Sequence, residues 1–125
     1  EFARATGVDA LAVCFGTMHG IYAEEPVLDL ERVKAIRAAM PADCRIVMHG
    51  GSGVAPKMQQ AGIAADCSKI NYYSYMAKAT TKHVQVKIAE TNGTIPFHEL
   101  SEDACYFIQS YAKDVLTVFK NGYQA

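Results

Sequence analysis

A chain of 125 residues is long enough for one folded domain and hardly for two. Half of the residues are hydrophobic and 20% are charged, which is typical of a globular protein and excludes a disordered one. The formal net charge is -1 and no block of like charge occurs, so nucleic acid and anionic membranes are poor candidates for partners. The longest apolar runs fall far short of the roughly 20 residues that a membrane span needs.

The first predicted strand is the continuous apolar run of residues 9–15. Such a run is typical of a strand that is buried on both faces. After a loop, apolar residues at helical spacing predict a helix that Asp29 caps and that Met40-Pro41 ends.

The middle of the chain repeats this order of strand and helix. Residues 44–48 predict a second strand, which leads into His49 and a loop of glycines and serine over residues 50–53. A short helix is predicted to begin at Pro56 and to end at Gly62, since proline favours a first helical turn. Residues 67–72 then predict a third, weaker strand.

The last third of the chain is predicted to be helical. One helix runs from Ser74 to about Glu90, before a stop at Asn92-Gly93 and a connector over residues 95–98. A final helix begins at residues 101–103 and ends at Asn121-Gly122. Six of its apolar side chains are predicted to face inward: Tyr106, Ile108, Tyr111, Val115, Leu116 and Phe119.

Alternating strands and helices indicate an α/β fold built from βαβ units around a parallel sheet. Three strands leave two unpaired edges, and a complete (β/α)8 barrel takes about 250 residues. We therefore expect the C-terminal portion of a TIM barrel, about its last three βα units, with an extra C-terminal helix. Residues 1–91 would hold the βα units and residues 92–125 the connector and the last helix, all in one domain. A small open three-layer sheet is the alternative.

The four cysteines are widely spaced and include no CxxC pair. With no secretory leader in the chain, they are expected to be the reduced thiols of a cytoplasmic protein. Because they lie mostly in or beside apolar runs, buried packing is the expected role of each.

Polar, glycine-rich segments follow all three predicted strands, and functional residues of parallel α/β folds collect at the carboxyl ends of strands. Two of these segments carry His19 and His49, each beside a glycine. Two neighbouring imidazoles can converge on one zinc ion, for which a third ligand must come from outside the chain. A structural, hydrogen-bonded role for each histidine stays open beside this interpretation.

The loop over residues 50–53 can hold an anion, because glycines bring backbone N–H groups close to it and the helix beginning at Pro56 adds a favourable partial charge. Ser52 adds a hydroxyl donor. Asn71 and Ser74, at the next strand end, can cover the other side of the same phosphate. A glycine-serine loop is also a common turn, and that reading stays open.

Taken in order, several segments resemble the class II ketose-bisphosphate aldolases over residues 6 to the mid-70s. Gly16-Thr17-Met18-His19-Gly20 with Tyr22 resembles the family's segment that bears a zinc-binding histidine, and residues 26–32 resemble the helix after it. His49-Gly50-Gly51-Ser52-Gly53-Val54 is similar to the second such segment, and Lys69-Ile70-Asn71 to the last barrel strand.

The resemblance implies a zinc-dependent lyase that splits fructose- or tagatose-bisphosphate-like ketoses into dihydroxyacetone phosphate and an aldehyde, as in glycolysis and related carbohydrate metabolism. Zinc polarises the carbonyl of the triose and stabilises the enediolate in such enzymes. His19 and His49 would bind zinc, and Asn71 would lie near the enediolate as a catalytic residue. Loop carbonyls can also bind a monovalent cation, Na+ or K+. The phosphate-bearing triose would be held by Gly20, Gly50, Gly51, Ser52, Asn71 and Ser74.

The family's third zinc histidine and its proton-transferring aspartate are expected from a preceding segment, since His83 and His98 fall where surface or packing roles are expected. The chain departs from the family at residues 72–75, which affects sugar recognition, and at Met18 on the pocket rim. Residues 1–125 alone are expected to give no aldol cleavage and to bind zinc weakly. A homo-oligomer, or completion by an N-terminal half, is expected.

Two other hypotheses belong to different functional classes. One is a non-catalytic module of aldolase ancestry that binds a phosphorylated sugar or assembles with another chain. The other is a half-barrel that pairs with itself.

Overall fold

The computed structural model describes residues 1–121 and shows three strands and five helices in that range. The elements alternate from β1 to α4, as the sequence predicts for an α/β fold. Their bounds are α1 Phe2–Thr6, β1 Ala10–Ala12, α2 Leu30–Ala39, β2 Arg45–Met48, α3 Pro56–Ala64, β3 Cys67–Ile70, α4 Ser74–Glu90 and α5 Phe97–Lys120.

The three strands form one parallel sheet in the order β1-β2-β3. Leu11 lies opposite Ile46, which in turn lies opposite Cys67. The register between β2 and β3 shifts between Ile46 and Val47, where the ladder is irregular. Because all three strands are parallel and neighbours in sequence are neighbours in space, their carboxyl ends lie side by side at one edge of the sheet.

The core fills the space between one face of the sheet and helices α2 and α3. Phe15, Val33, Ile46 and Met48 are fully buried there. Gly62 lies inside α3 against the terminal methyl group of Met48, 2.9 Å from where a Cβ would stand. The prediction that α3 ends at Gly62 is therefore wrong: this glycine allows close packing, and the helix continues to Ala64.

Strand β1 is an edge strand and is not buried on both faces as predicted. The strand covers Ala10–Ala12 and not the predicted residues 9–15. Ala10 and Ala12 are exposed, whereas Val13 and Phe15, just after the strand, pack in the core. Among the described residues, no element covers the face that carries Ala10 and Ala12. The outer edge of β1 is unpaired as well, because β1 pairs with β2 alone. Strand β3 is also shorter than predicted and ends at Ile70.

The predicted start of α2 is confirmed. The Asp29 carboxylate accepts a hydrogen bond from the backbone N–H of Arg32 at 2.9 Å, which satisfies one of the donors that a helix start leaves unpaired. The helix ends before Met40-Pro41, and α4 occupies the predicted residues 74–90.

Helix α5 begins at Phe97, earlier than predicted, so part of the predicted connector is helical. Pro96 has φ of -62° and occupies the N-cap position, and its carbonyl accepts the N–H of Leu100. Phe107, Tyr111 and Phe119 carry the helix's aromatic contacts. Three of the side chains predicted to face inward are exposed instead: Tyr106, Ile108 and Leu116. Asn121 adopts the left-handed cap conformation, and Gly122 lies outside the described residues.

All four cysteines are free thiols. Cys44 and Cys67 are buried, and burial raises the pKa of the Cys67 thiol. The packing role predicted for each cysteine is wrong for Cys14 and Cys105, which are exposed.

Within residues 1–121, no helix combines the length and the apolarity that crossing a bilayer requires.

Candidate active site

His19 and His49 lie together at the carboxyl edge of the sheet. His49 directly follows β2, and His19 lies in the loop that follows β1. Nε2 of His19 is 3.2 Å from Nδ1 of His49, and the rings stack with their centroids 5.2 Å apart. Parallel pairing of the two strands therefore brings together two imidazoles that are 30 residues apart in sequence.

The spacing of these two nitrogens fits a shared metal ion. Two nitrogen ligands of one tetrahedral zinc, each about 2.05 Å from the metal, stand about 3.3 Å apart. The separation of 3.2 Å also suits a direct N–H···N hydrogen bond between neutral rings. Among residues 1–121, no three His, Cys, Asp or Glu side chains are placed to hold a metal together. The described residues thus bring two imidazoles together here and no third metal-ligating side chain beside them.

Glycine is required next to His49 because two loops touch there. Gly50 has φ of +68°, and a Cβ at this position would overlap the backbone carbonyl oxygen of Met18. A Cβ at Gly51 would overlap a methyl group of Ile70. The residues after β2 therefore approach both neighbouring segments at backbone distance, which only glycine allows.

A cleft of about 200 Å³ opens beside the two histidines. Of the predicted site residues, His49 and Gly51 do not line it, although the ring of His49 stacks on that of His19, which does. Gly51 lies behind the cleft and donates its N–H to the carbonyl of Asn71 at 3.0 Å. Tyr73, for which the sequence predicted no binding role, also lines the cleft. The full lining is His19, Gly20, Gly50, Ser52, Asn71, Tyr73 and Ser74.

Ser52 joins the glycine loop to the start of α4. Its side chain is buried, and Oγ accepts a hydrogen bond from the backbone N–H of Tyr73 at 2.7 Å. A hydroxyl group accepts and donates, so the proton of Ser52 remains for a ligand in the cleft.

Helix α4, and not α3, begins at this cleft. Tyr73 is the N-cap of α4 and Ser74 its first residue; both line the cleft, and no side chain caps the helix. Pro56, at the start of α3, lines a different cavity of about 360 Å³. The sequence analysis attributed a partial positive charge at the cleft to the helix beginning at Pro56, and this attribution is wrong. The charge comes from α4, whose first N–H groups have no intrahelical acceptor.

Asn71 reaches the cleft from the end of β3. Its Oδ1 accepts a hydrogen bond from the ammonium group of Lys69. With the amide oxygen engaged in this way, the NH₂ group is the part of Asn71 that remains to donate to a ligand.

The other two histidines lie away from the cleft. His83, in α4, contacts Asp103 of α5 with Nε2 2.5 Å from Oδ2 and stacks on Phe107 at 4.3 Å. His98 is exposed in α5. Tyr72 packs against α5, and its hydroxyl is 3.3 Å from that of Tyr111; desolvation, and then this contact, raise its pKa.

Four residues contribute to the site without having been assigned a role from the sequence: Tyr22, Gln59, Lys69 and Tyr73. Tyr22 and Gln59 bind backbone atoms of the loop after β2, and these partners are distant in sequence. Lys69 and Tyr73 lie within two residues of Asn71. Their polar groups near the end of a predicted strand were the sequence signal that could have identified them as site residues.

The chain matches the family model of class II fructose-bisphosphate aldolase over residues 1–123. The chain belongs to the class II fructose-bisphosphate aldolase family. This match confirms the resemblance inferred from the sequence motifs, and it places the chain in a lyase family that is generally zinc-dependent.

Two solved aldolase structures are similar to the chain. The YdjI aldolase from Escherichia coli K12 superposes with a TM-score of 0.76 at 28% sequence identity, over 98% of this chain and 43% of that one. A candidate fructose-1,6-biphosphate aldolase from Coccidioides immitis superposes with a TM-score of 0.83 at 25% identity, over 96% of this chain and 41% of that one. The chain thus spans less than half the length of these aldolases.

Proposed function

We propose that this chain supplies the zinc- and phosphate-binding loops of a class II aldolase, which cleaves a ketose bisphosphate to dihydroxyacetone phosphate and an aldehyde and catalyses the reverse condensation. The observation that carries the proposal is the 3.2 Å separation of the His19 and His49 nitrogens, beside a cleft that His19, Gly20 and Gly50 line. Family membership supplies the reaction class.

His19 and His49 would be two of the zinc ligands. Neutral imidazole is a common zinc ligand, and catalytic zinc usually has three protein ligands with one position open for substrate. When bound, zinc would supply Lewis acidity to the carbonyl group of the triose. The third ligand and the carboxylate that moves the proton would come from a segment before residue 1.

The cleft would hold the phosphate group of the triose. Gly20 and Gly50 leave backbone exposed in its wall, Ser52 offers its hydroxyl proton, and the α4 N-terminus at Ser74 adds partial positive charge. Gly51 would contribute by packing under the loop. A monovalent cation at the loop carbonyls stays a prediction; the carbonyl of Gly50 already accepts a hydrogen bond from Tyr22.

Asn71 would orient the reacting end of the triose. Asn71 lines the same cleft as the glycine loop, and because Lys69 holds the amide oxygen, the NH₂ group would be the donor to substrate. A donor fixed in this way can stabilise negative charge that develops on a substrate oxygen.

We also propose that residues 1–125 form the last βα units of a (β/α)8 barrel, with residues 92–125 as connector and last helix. Sequential strand order with the core on one face of the sheet is the arrangement of a barrel wall, whereas doubly wound sheets carry helices on both faces. The exposed Ala10 and Ala12 would then face the barrel interior. An N-terminal half, or a second copy of the chain, would cover the open edge of β1.

Four free thiols suit a cytoplasmic location.

The test is loss of metal and of turnover in the full-length protein after His19→Ala or His49→Ala, with His98→Ala as the matched control. Zinc content and cleavage of fructose and tagatose bisphosphates are measured side by side. In each ligand variant, zinc affinity and turnover are expected to fall by more than the roughly 10- to 100-fold that loss of an outer-shell partner costs. Full zinc content and turnover in His49→Ala would contradict the proposal.

A non-catalytic module that binds a phosphorylated sugar is the second candidate. It is favoured by the number of ligands, because the residues described provide two imidazoles and no third metal ligand beside them. Saturable binding of dihydroxyacetone phosphate by the full-length protein, without EDTA-sensitive cleavage of either bisphosphate, would favour this candidate over the enzyme.

A further inference from the structure

One hydroxyl group connects the two loops that carry the histidines. The hydroxyl oxygen of Tyr22 accepts a hydrogen bond from the backbone N–H of Met18 at 2.8 Å. The same hydroxyl donates to the backbone carbonyl of Gly50, also at 2.8 Å. Both capacities of the phenol are thus used by backbone groups of different loops.

The two partners of Tyr22 are the immediate neighbours of the two histidines. Met18 precedes His19, and Gly50 follows His49. A displacement of either peptide group therefore moves the adjacent imidazole, and the phenol links both displacements. Tyr22 itself is half-buried, so its ring is held in place while its hydroxyl stays at the site.

Little else holds the first of these loops. Among the residues described, the hydrogen bonds of residues 16–27 are those of the Tyr22 hydroxyl and the contact between the two imidazoles. The backbone bond from Asp29 N–H to the Phe15 carbonyl ties only the ends of the loop. Besides the backbone contact between Met18 and Gly50, the position of His19 relative to His49 therefore depends on Tyr22.

We infer that Tyr22 is a positioning residue that sets the separation of the His19 and His49 nitrogens and so prepares the metal site. The use of that separation for zinc rests on the function proposed above; the separation itself does not. Tyr22 touches neither metal nor substrate and acts only through the two loops.

The test compares Tyr22→Phe with Tyr106→Phe in the full-length protein. Both variants lose one phenolic hydroxyl, but the Tyr106 hydroxyl bonds Glu102 on the exposed side of α5. Tyr22→Phe is expected to weaken zinc affinity by about 10- to 100-fold, as outer-shell losses do. It is expected to lower kcat at saturating zinc while KM for the bisphosphate changes little, because Ser52 and Gly51 are held independently. Tyr106→Phe should match the parent in every measurement.

A second measurement needs no metal. In the zinc-free protein with ¹³C-labelled histidine, Tyr22→Phe is expected to shift the ring resonances of His19 and His49 and to leave those of His83 and His98 in place. Replacement of Tyr22 by 4-aminophenylalanine, which keeps a donor toward the Gly50 carbonyl, is expected to recover part of the affinity. If Tyr22→Phe unfolds the protein, the 4-aminophenylalanine variant is compared with the parent in its place.

The outcomes separate this inference from the proposed function. If His49→Ala abolishes zinc binding but Tyr22→Phe changes neither affinity nor the histidine resonances, the role of Tyr22 is wrong and the metal site stands. If Tyr22→Phe shifts both resonances while His49→Ala leaves zinc content intact, the positioning role holds and the proposed zinc site is wrong.

Discussion

The buried side chain of Gln59 donates from Nε2 to the carbonyl oxygen of Gly51 at 2.9 Å. Gln59 lies in α3, whereas Gly51 lies behind the cleft in the loop after β2. This bond fixes the glycine loop against helix α3. The loop is thereby held by Gln59 on one side and by the bond between Ser52 and Tyr73 on the other.

Substitution Gln59→Leu is expected to loosen the loop. The Gly51 carbonyl would keep only the longer bond from the Val54 N–H at 3.3 Å, and loss of a buried partner costs about 1–3 kcal/mol. Urea unfolding should report this loss, and the affinity for dihydroxyacetone phosphate should fall with it. Gln109→Leu, on the exposed face of α5, is the control. Equal affinities for the two variants would show that the loop does not need Gln59.

Substitution Gly50→Ala is expected to damage the site more than Gly93→Ala. Both glycines have positive φ, +68° and +74°, so both substitutions cost roughly the 1–2 kcal/mol of a left-handed alanine. A Cβ at Gly93 meets nothing within 4 Å, whereas one at Gly50 overlaps the Met18 carbonyl. Thermal unfolding and zinc affinity measured on both variants isolate the effect of that overlap. Indistinguishable variants would mean that the loops separate without cost.

The contact between α4 and α5 is expected to weaken in acid. The hydrogen bond with His83, and then Lys87 at 3.4 Å, hold the pKa of the Asp103 carboxyl below its ordinary value. A lowered folded pKa means that the stabilisation is complete above the unfolded value of about 3.9 and is lost as the pH falls through the folded value.

Asp103→Asn should therefore be less stable than the parent at pH 7, with a difference that shrinks below about pH 4. Urea unfolding followed by far-UV circular dichroism at several pH values measures this, with Asp114→Asn of the same helix as the control. If the free energy of unfolding of Asp103→Asn stays below that of the parent by the same amount from pH 7 to pH 3, the carboxylate charge does not stabilise this contact.

Thiol alkylation is expected to report on the open edge of the sheet. In residues 1–125, Cys14 and Cys105 should react quickly with N-ethylmaleimide, and the buried Cys44 and Cys67 slowly. The raised pKa of Cys67 slows it further, because the thiolate is the reactive form. If a preceding segment completes a barrel, Cys14 should become protected in the full-length protein while Cys105 stays reactive. Peptide mass spectrometry reads all four sites; persistent reactivity of Cys14 would oppose the barrel proposal.

Elements with strong local signals could be predicted from the sequence. Asp29 and Met40-Pro41 mark both ends of α2 through capping and through the restriction that proline places on its neighbour. The apolar run before His49 predicted β2, which is buried along three of its four residues. In each case the determinant lies within a few residues of the element that it defines.

Features that depend on distant neighbours could not be predicted in the same way. The exposure of Ala10 follows from the lack of a layer on its face of β1 among the described residues, and an apolar run does not encode which faces of a strand are covered. The helix start at the cleft proved to be that of α4 because Ser52 bonds Tyr73, 21 residues further along the chain. Tyr22 stands beside a motif singled out in the sequence, but its bond to Gly50, 28 residues away, could not be predicted from its neighbours in the chain.

The backbone contact between Gly50 and Met18 limits how this scaffold can be redesigned. A lengthened or shortened turn on either side would push the other out of place, so the two histidine-bearing turns form a single engineering unit. Libraries intended to change what the cleft binds should instead diversify Tyr73, which lines the cleft with a side chain that is 72% exposed.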